Sequence, residues 1–184
     1  MPMVDILAIS GSLRSRSTNT AVLEAAAQLA PDGTVVRIWQ GLGEIPPFNP
    51  DVDVPPAPLA VEAFRAELRA ADAVLICSPE YAHGVSGVMK NALDWVVGSG
   101  ELMEKLVALI NASPYATIAH AALAETLRTM SATVVEDASV TLPILSGKPD
   151  AAAMVASPEI SEALRAAIAA LCSRRRLRAG GSQD

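Results

Sequence analysis

Three short apolar runs constrain this chain more than any other feature: VDILAIS at 4–10, DAVLICS at 72–78 and KLVALINAS at 105–113. Each is dense in Val, Ile and Leu, shows no clear alternation, and ends on small polar residues. A strand covered on both faces reads this way. TVVRIW at 34–39 and TVVEDASVTLPI at 133–144 read as two further strands. Helical patterns fall between them, over 18–30, 61–71, 86–97, 117–130 and 157–173. In the second of these, Val61, Phe64, Leu68 and Ala71 share one stripe. In the last, Ser157 caps and Pro158 takes the first helical position. Five alternations of strand and helix predict an α/β fold, with a parallel sheet, helices on both faces and right-handed crossovers.

The 184 residues suffice for one domain with a sizeable core. The expected organisation is a single domain over 1–173 and a disordered basic tail over 174–184. Aromatics make up only 3 % of a chain that is 51 % hydrophobic, so Ala, Val and Leu must fill the core. The segment EIPPFNPDVDVPPAP, 44–58, holds six of the 13 prolines and is incompatible with a helix or a central strand. It is expected to be a long loop after the second strand. Residues 1–173 carry ten basic and 19 acidic groups, which argues against nucleic-acid binding. No apolar run reaches the roughly 18 residues of a membrane span. No basic region precedes the first apolar run, so no secretory leader is expected. Two cysteines, Cys77 and Cys172, make neither a disulfide framework nor a metal cluster, and a cytoplasmic location is the expectation.

In a doubly wound fold, ligands sit beyond the carboxyl ends of the strands. Three polar junctions lie there: 10–20, 78–87 and 111–117. The first, SGSLRSRSTNT, runs from a strand into a helix start, where free N–H groups and the positive end of the helix dipole favour an anion. Ser12, Ser17, Thr18 and Asn19 add donors, and Arg14 can grip phosphate oxygens as a fork. The pattern is neither GxxxxGK[ST] nor GxGxxG. A hydroxyl-lined loop suits a terminal monophosphate, whereas a pyrophosphate needs glycines for close backbone approach. The residues alone leave two alternatives level: an anion cradle, or a helix cap with solvated neighbours.

Taken with SPEYAHGVSGVMKNALDWVVGSGE at 78–101, the loop resembles the NADPH-dependent FMN reductase family. Gly11-Ser12-Leu13-Arg14, Ser17 and Asn19 match the family's first motif. Pro79-Glu80-Tyr81, Gly87 and Lys90-Asn91-Ala92-Leu93-Asp94-Trp95 match its second. The resemblance covers residues 4–20 and 72–97 in motif and most of the chain in element order. It implies a flavodoxin-like three-layer sandwich with a five-stranded parallel sheet in the order 2-1-3-4-5. It also implies noncovalent FMN, its phosphate on Ser12, Arg14, Ser17, Thr18 and Asn19, and its ring against Pro79, Glu80 and Tyr81, with Ser113 at the third junction. Ala82 stands where the family has Asn, Ser86 where it has Pro, and Met89 where it has Leu. Pro114-Tyr115 replaces the third junction's glycines, and His120 lies near the place of an arginine.

The implied function is an FMN-dependent NAD(P)H oxidoreductase, with NADPH or NADH as donor and a quinone, azo compound, flavin or similar small molecule as acceptor. The hydride chemistry belongs to the flavin, so no catalytic side chain and no metal is assigned. Glu80 is read as a loop carboxylate whose backbone matters more than its charge. Lys90, Asn91 and Asp94 are read as caps, interface bonds or a solvated face. The second apolar side of the helix at 86–97, with the resemblance, points to a homodimer or homotetramer. The alternatives are a non-enzymatic FMN electron carrier or redox-responsive binder, and a phosphoester-binding protein without flavin.

Overall fold

The computed structural model describes residues 3–180. Its strands are β1 (Val4–Ser10), β2 (Thr34–Trp39), β3 (Ala73–Cys77), β4 (Glu80–Tyr81), β5 (Gly84–Val85), β6 (Leu106–Asn111), β7 (Thr133–Val134) and β8 (Val140–Thr141). Its helices are α1 (Thr18–Gln28), α2 (Leu59–Ala70), α3 (Gly87–Val97), α4 (Thr117–Thr129), α5 (Ala151–Ala156) and α6 (Pro158–Gly180).

The central sheet runs β2-β1-β3-β6, all parallel, and its last position is shared by β7 and β8, each parallel to β6. The expected order 2-1-3-4-5 is therefore met in five positions. Strand polarity explains the layers. Ile6 and Ala8 of β1, Leu75 of β3 and Ala108 of β6 face one core, under α1, α5 and α6. Leu7 and Ile9, Ile76 and Leu109 face the other, under α2, α3 and α4. Successive side chains point to opposite faces, so a strand with a core on each side needs apolar residues throughout. Registers align Ser10 with Cys77 and Cys77 with Ile110, so β1, β3 and β6 end level with one another.

Four elements depart from the sequence expectation. The run 133–144 is not one strand. A 3-10 turn at Glu136–Ala138 divides β7 from β8. Ser139 bridges the break, its hydroxyl accepting from the Leu109 N–H at 3.1 Å and donating to the Val135 carbonyl at 3.0 Å. The second junction holds a two-stranded hairpin, β4–β5, that sequence periodicity cannot reveal in two-residue strands. Helix α5 is an additional element, capped by the Asp150 carboxylate on the Ala153 N–H. The basic segment expected to be disordered continues α6 through Gly180; residues 181–184 lie outside the described residues. Carboxylates hold the segment in place: Arg174 pairs with Asp137 and Arg175 with Asp72.

The proline-rich loop is ordered by α3. The Asn91 amide accepts from the Phe48 N–H at 2.7 Å and donates to the Pro46 carbonyl at 2.9 Å. The buried Trp95 indole donates to the same carbonyl at 2.8 Å and meets Phe48 edge to face. Lys90 and Asp94 pair with each other across one helical turn. Most of the apolar surface expected to meet another subunit is internal: Met89, Ala92, Leu93, Trp95 and Val96 are buried within the chain, and Val88 is half-buried. The KNALDW stretch thus clamps a loop that has few hydrogen bonds of its own.

Asn91→Ala removes the partner of the exposed Phe48 N–H and one of the two donors to the Pro46 carbonyl, at a cost of about 0.5–1.5 kcal/mol. Urea unfolding checks this: the midpoint falls and the slope is unchanged. An unaltered midpoint shows that the clamp contributes nothing.

Candidate functional site

The three junctions converge because β1 and β3 end in contact. A Cβ at Gly11 would lie 2.2 Å from Ser78 Oγ, so no other residue fits without displacing the second junction. The Gly11 N–H also donates to the Cys77 carbonyl at 2.9 Å.

The first junction is knitted by its own hydroxyls. Ser10 Oγ lies 2.9 Å from Thr20 Oγ1, and the Ser12 hydroxyl accepts from the Arg14 N–H at 3.4 Å. Ser17 is the N-cap of α1, accepting from the Thr20 N–H at 3.3 Å. A hydroxyl that accepts still has a proton to donate, so capping and cradling are compatible in one residue. The first turn of α1 carries no acidic residue, leaving the positive helix end unopposed. Asn19 is buried, and its Oδ1 accepts from the Cys77 thiol at 3.3 Å. Among the described residues nothing claims its Nδ2 donor. Burial pushes the Cys77 thiol up, so it is protonated and packed as a core residue.

The second junction is built around Glu80. Helix α4 begins after Ala116, which has no side chain able to cap it. Glu80 takes that task from 39 positions upstream, its Oε2 accepting from the Ala119 N–H at 2.8 Å. Its Oε1 lies 2.9 Å from His83 Nδ1. The Ala119 N–H, with help from His83, holds the Glu80 pKa below the ordinary carboxylate value. The hairpin turn itself needs two left-handed residues, and Ala82 (φ 49°) and His83 (φ 59°) supply them. An alanine there is strained, and asparagine tolerates the conformation better.

The third junction folds around buried Asn111. Its Nδ2 donates to the Ala116 carbonyl at 3.0 Å and its Oδ1 accepts from the Ser113 N–H at 3.1 Å. The Ser113 hydroxyl accepts from the Tyr115 N–H at 3.3 Å.

A cavity of about 440 Å³ opens over these strand ends. Of the sequence-predicted residues it brings together Thr18, Asn19, Pro79, Glu80 and Ser113. Arg14 and Ser17 line an adjoining cavity of about 470 Å³, which shares Thr18. Ser12 is buried and lines neither cavity. Tyr81 projects from the hairpin, 53 % exposed, and lines neither cavity. The wall contains residues that sequence reasoning missed: Ser78, Asn111, Tyr115 and the loop 144–147. Asn111 carried a readable signal, an amide closing an apolar run; the loop carried none. His120, whose pKa burial lowers, packs beside Ile76 and Leu109 and lines neither of these cavities.

The cavity's volume falls in the range of about 300–1,000 Å³ usual for small-molecule sites. Its chemistry is divided. Donors of the α1 end sit at one side, and the third junction with Pro79 forms a mostly uncharged wall at the other. That division fits a phosphorylated ligand with a flat, neutral body, and FMN fits it. Among the described residues no helix is long and apolar enough to cross a membrane, and no cluster of His, Cys, Asp or Glu is placed to hold a metal.

A family model for NADPH-dependent FMN reductase matches residues 4–147. An NAD(P)H-dependent FMN reductase of Pseudomonas aeruginosa is 48 % identical over 92 residues, covering 50 % of this chain and 49 % of that protein. A quinone reductase of Pseudomonas putida is 40 % identical over 94 residues, covering 51 % and 49 %. The chain thus spans about half the length of the curated relatives it matches. Among solved structures, a flavoenzyme NAD(P)H:(acceptor) oxidoreductase from Paracoccus denitrificans superposes with a TM-score of 0.77 at 23 % identity. The match covers 95 % of this chain and 98 % of that one. At that identity the likeness establishes the flavodoxin-like fold.

Because Glu80 caps α4, its charge stabilises the fold where the carboxylate is ionised. Its folded pKa is depressed, so the contribution is fully present above its unfolded value of about 4.3 and is lost as pH falls through the folded value. Thermal melts at neutral pH are expected to rank wild type above Glu80→Gln, and Glu80→Ala lowest. The wild-type advantage should shrink on acidification below about pH 4. Equal melting temperatures would show that the cap is not formed.

Proposed function

The chain belongs to the NADPH-dependent FMN reductase family, and on that premise we propose that it is an FMN-dependent NAD(P)H oxidoreductase acting on a small-molecule acceptor. The observation that carries this reading is the divided cavity at the strand ends, in a chain that the family matches across residues 4–147. The non-enzymatic carrier is not favoured by the relatives, which are named as reductases.

Thr18 and Asn19, with the end of α1, would hold the FMN phosphate, joined by Ser17 and Arg14 from the other side of the loop. Ser12 acts beneath them by fixing the Arg14 backbone. Pro79 and the backbone of Glu80, with Ser113 and Tyr115, would flank the ring, and Tyr81 stands on the hairpin beside them. Bound there, FMN would supply the hydride chemistry between a reduced nicotinamide donor and a quinone, azo compound or flavin acceptor. The protein's own contribution is placement. Glu80 is occupied with α4, and the Cys77 thiol is buried and protonated, so neither serves as a proton carrier.

A homodimer or homotetramer remains part of the reading, with support from a different surface than α3. Tyr81, Tyr115, Ile118 and Leu145 are exposed apolar side chains on segments around the cavity rim. Their covering by a second copy would close the site.

Titration of FMN into the purified chain tests the reading. Flavin fluorescence is expected to quench to a stoichiometric endpoint. Arg14→Ala should weaken binding about tenfold or more, the effect of one charge-assisted hydrogen bond. No quenching by the wild-type chain removes the flavin from the account, and an unchanged affinity in Arg14→Ala removes Arg14 from the site.

A further inference from the structure

The 470 Å³ cavity gathers three cationic side chains, of which the flavin reading uses only Arg14. Arg14, Arg16 and Lys148 all line it. Among the described residues, none of their head groups has a hydrogen-bond or ion-pair partner. Elsewhere in the chain Arg37, Arg65, Arg69, Arg128, Arg174 and Arg175 are each paired with carboxylates. Two carboxylates also face the cavity, Glu24 and Asp150. Asp150 is turned to its own helix, accepting from the Ala153 N–H at 2.9 Å. One cavity of a net acidic chain therefore gathers three unpartnered cations against the two carboxylates Glu24 and Asp150, a net positive lining.

A phosphate monoester carries a charge near −2 at neutral pH. Arg14 and the α1 end match one such group. Arg16 and Lys148 are left over. They also belong to a continuous path. The segment 144–150 borders both cavities, residues 144–147 on the 440 Å³ side and 148–150 on this side, and Thr18 is common to both. A ligand extended along this wall reaches from one cavity into the other.

We infer that this second cavity binds the adenosine 2′-phosphate of NADPH, with Arg16 and Lys148 as the residues that distinguish it from NADH. The inference rests on the flavin reading above and deepens it. The chemistry favours a monoester over the dinucleotide's pyrophosphate. No glycine lies between Ser12 and Thr20 to let the backbone close on a pyrophosphate. Arginine is the usual answer to a 2′-phosphate, which presents three oxygens to a guanidinium fork.

The test uses Arg16→Ala/Lys148→Ala and the single variant Arg16→Lys. Both positions are exposed, and their melting temperatures serve as the folding control. Calorimetry with adenosine 2′,5′-bisphosphate and with 5′-AMP, on protein with and without FMN, reads the site directly. The wild type should bind the bisphosphate more tightly than 5′-AMP. The double variant should lose that preference, falling about tenfold per cation removed, with Arg16→Lys in between. FMN affinity should be unchanged. In turnover of the FMN-loaded enzyme with excess quinone, KM for NADPH should rise by a similar factor while KM for NADH stays put. Equal changes for the two nucleotides would assign the cavity to the pyrophosphate and overturn the inference. A parallel loss of FMN affinity would assign it to the flavin phosphate, with the same consequence. Should the wild type bind no FMN, the flavin reading falls, while the bisphosphate titration still decides this one.

Discussion

The contact between Gly11 and Ser78 governs the site. Two strand ends approach until there is no space for a Cβ at position 11. That approach brings a hydroxyl-rich loop and a proline-containing hairpin, some 65 residues apart in sequence, to the floor of one cavity. The registers of β1, β3 and β6 bring the third junction level with them. A parallel sheet supplies the convergence for any sequence that forms it. The glycine is what allows it to be so tight.

Around that contact, the site is held by side chains bonded to distant backbone. Glu80 caps α4, Asn111 closes the third junction, and Asn91 with Trp95 restrains the proline-rich loop. Each uses a polar side chain to satisfy backbone groups that local structure leaves open. The 440 Å³ cavity is lined by small hydroxyls, two asparagines and apolar side chains, with Glu80 its one charged residue. That one charged side chain is committed to structure, through its bond to the Ala119 N–H.

The layers were legible in the sequence because a strand buried on both faces must be apolar throughout, and β1, β3 and β6 announce themselves in that way. The loop at 10–20 stands out by motif, and Thr18, Asn19, Pro79, Glu80 and Ser113 meet on one cavity. What escaped was set by long-range pairing. The Glu80 side chain reads as a loop carboxylate whose backbone matters more, until α4 is seen beginning after an alanine that cannot cap it. The α3 face that suggested a subunit contact is covered by the chain's own loop, through bonds to backbone carbonyls that no periodicity encodes. The division of the strand at 133–144 depends on one serine bonded to a neighbouring strand. The basic tail reads as disordered because its carboxylate partners, Asp72 and Asp137, lie far away in sequence.

The central claim is that this fold places a flavin where a reduced nicotinamide can reach it. The most direct measurement is the visible absorbance spectrum of the FMN-loaded protein, followed as NADPH is added in the absence of oxygen. The account predicts that the bound flavin band bleaches with one equivalent of NADPH and returns when a quinone is added. A band that persists through excess NADPH, in protein shown to hold FMN, would contradict it.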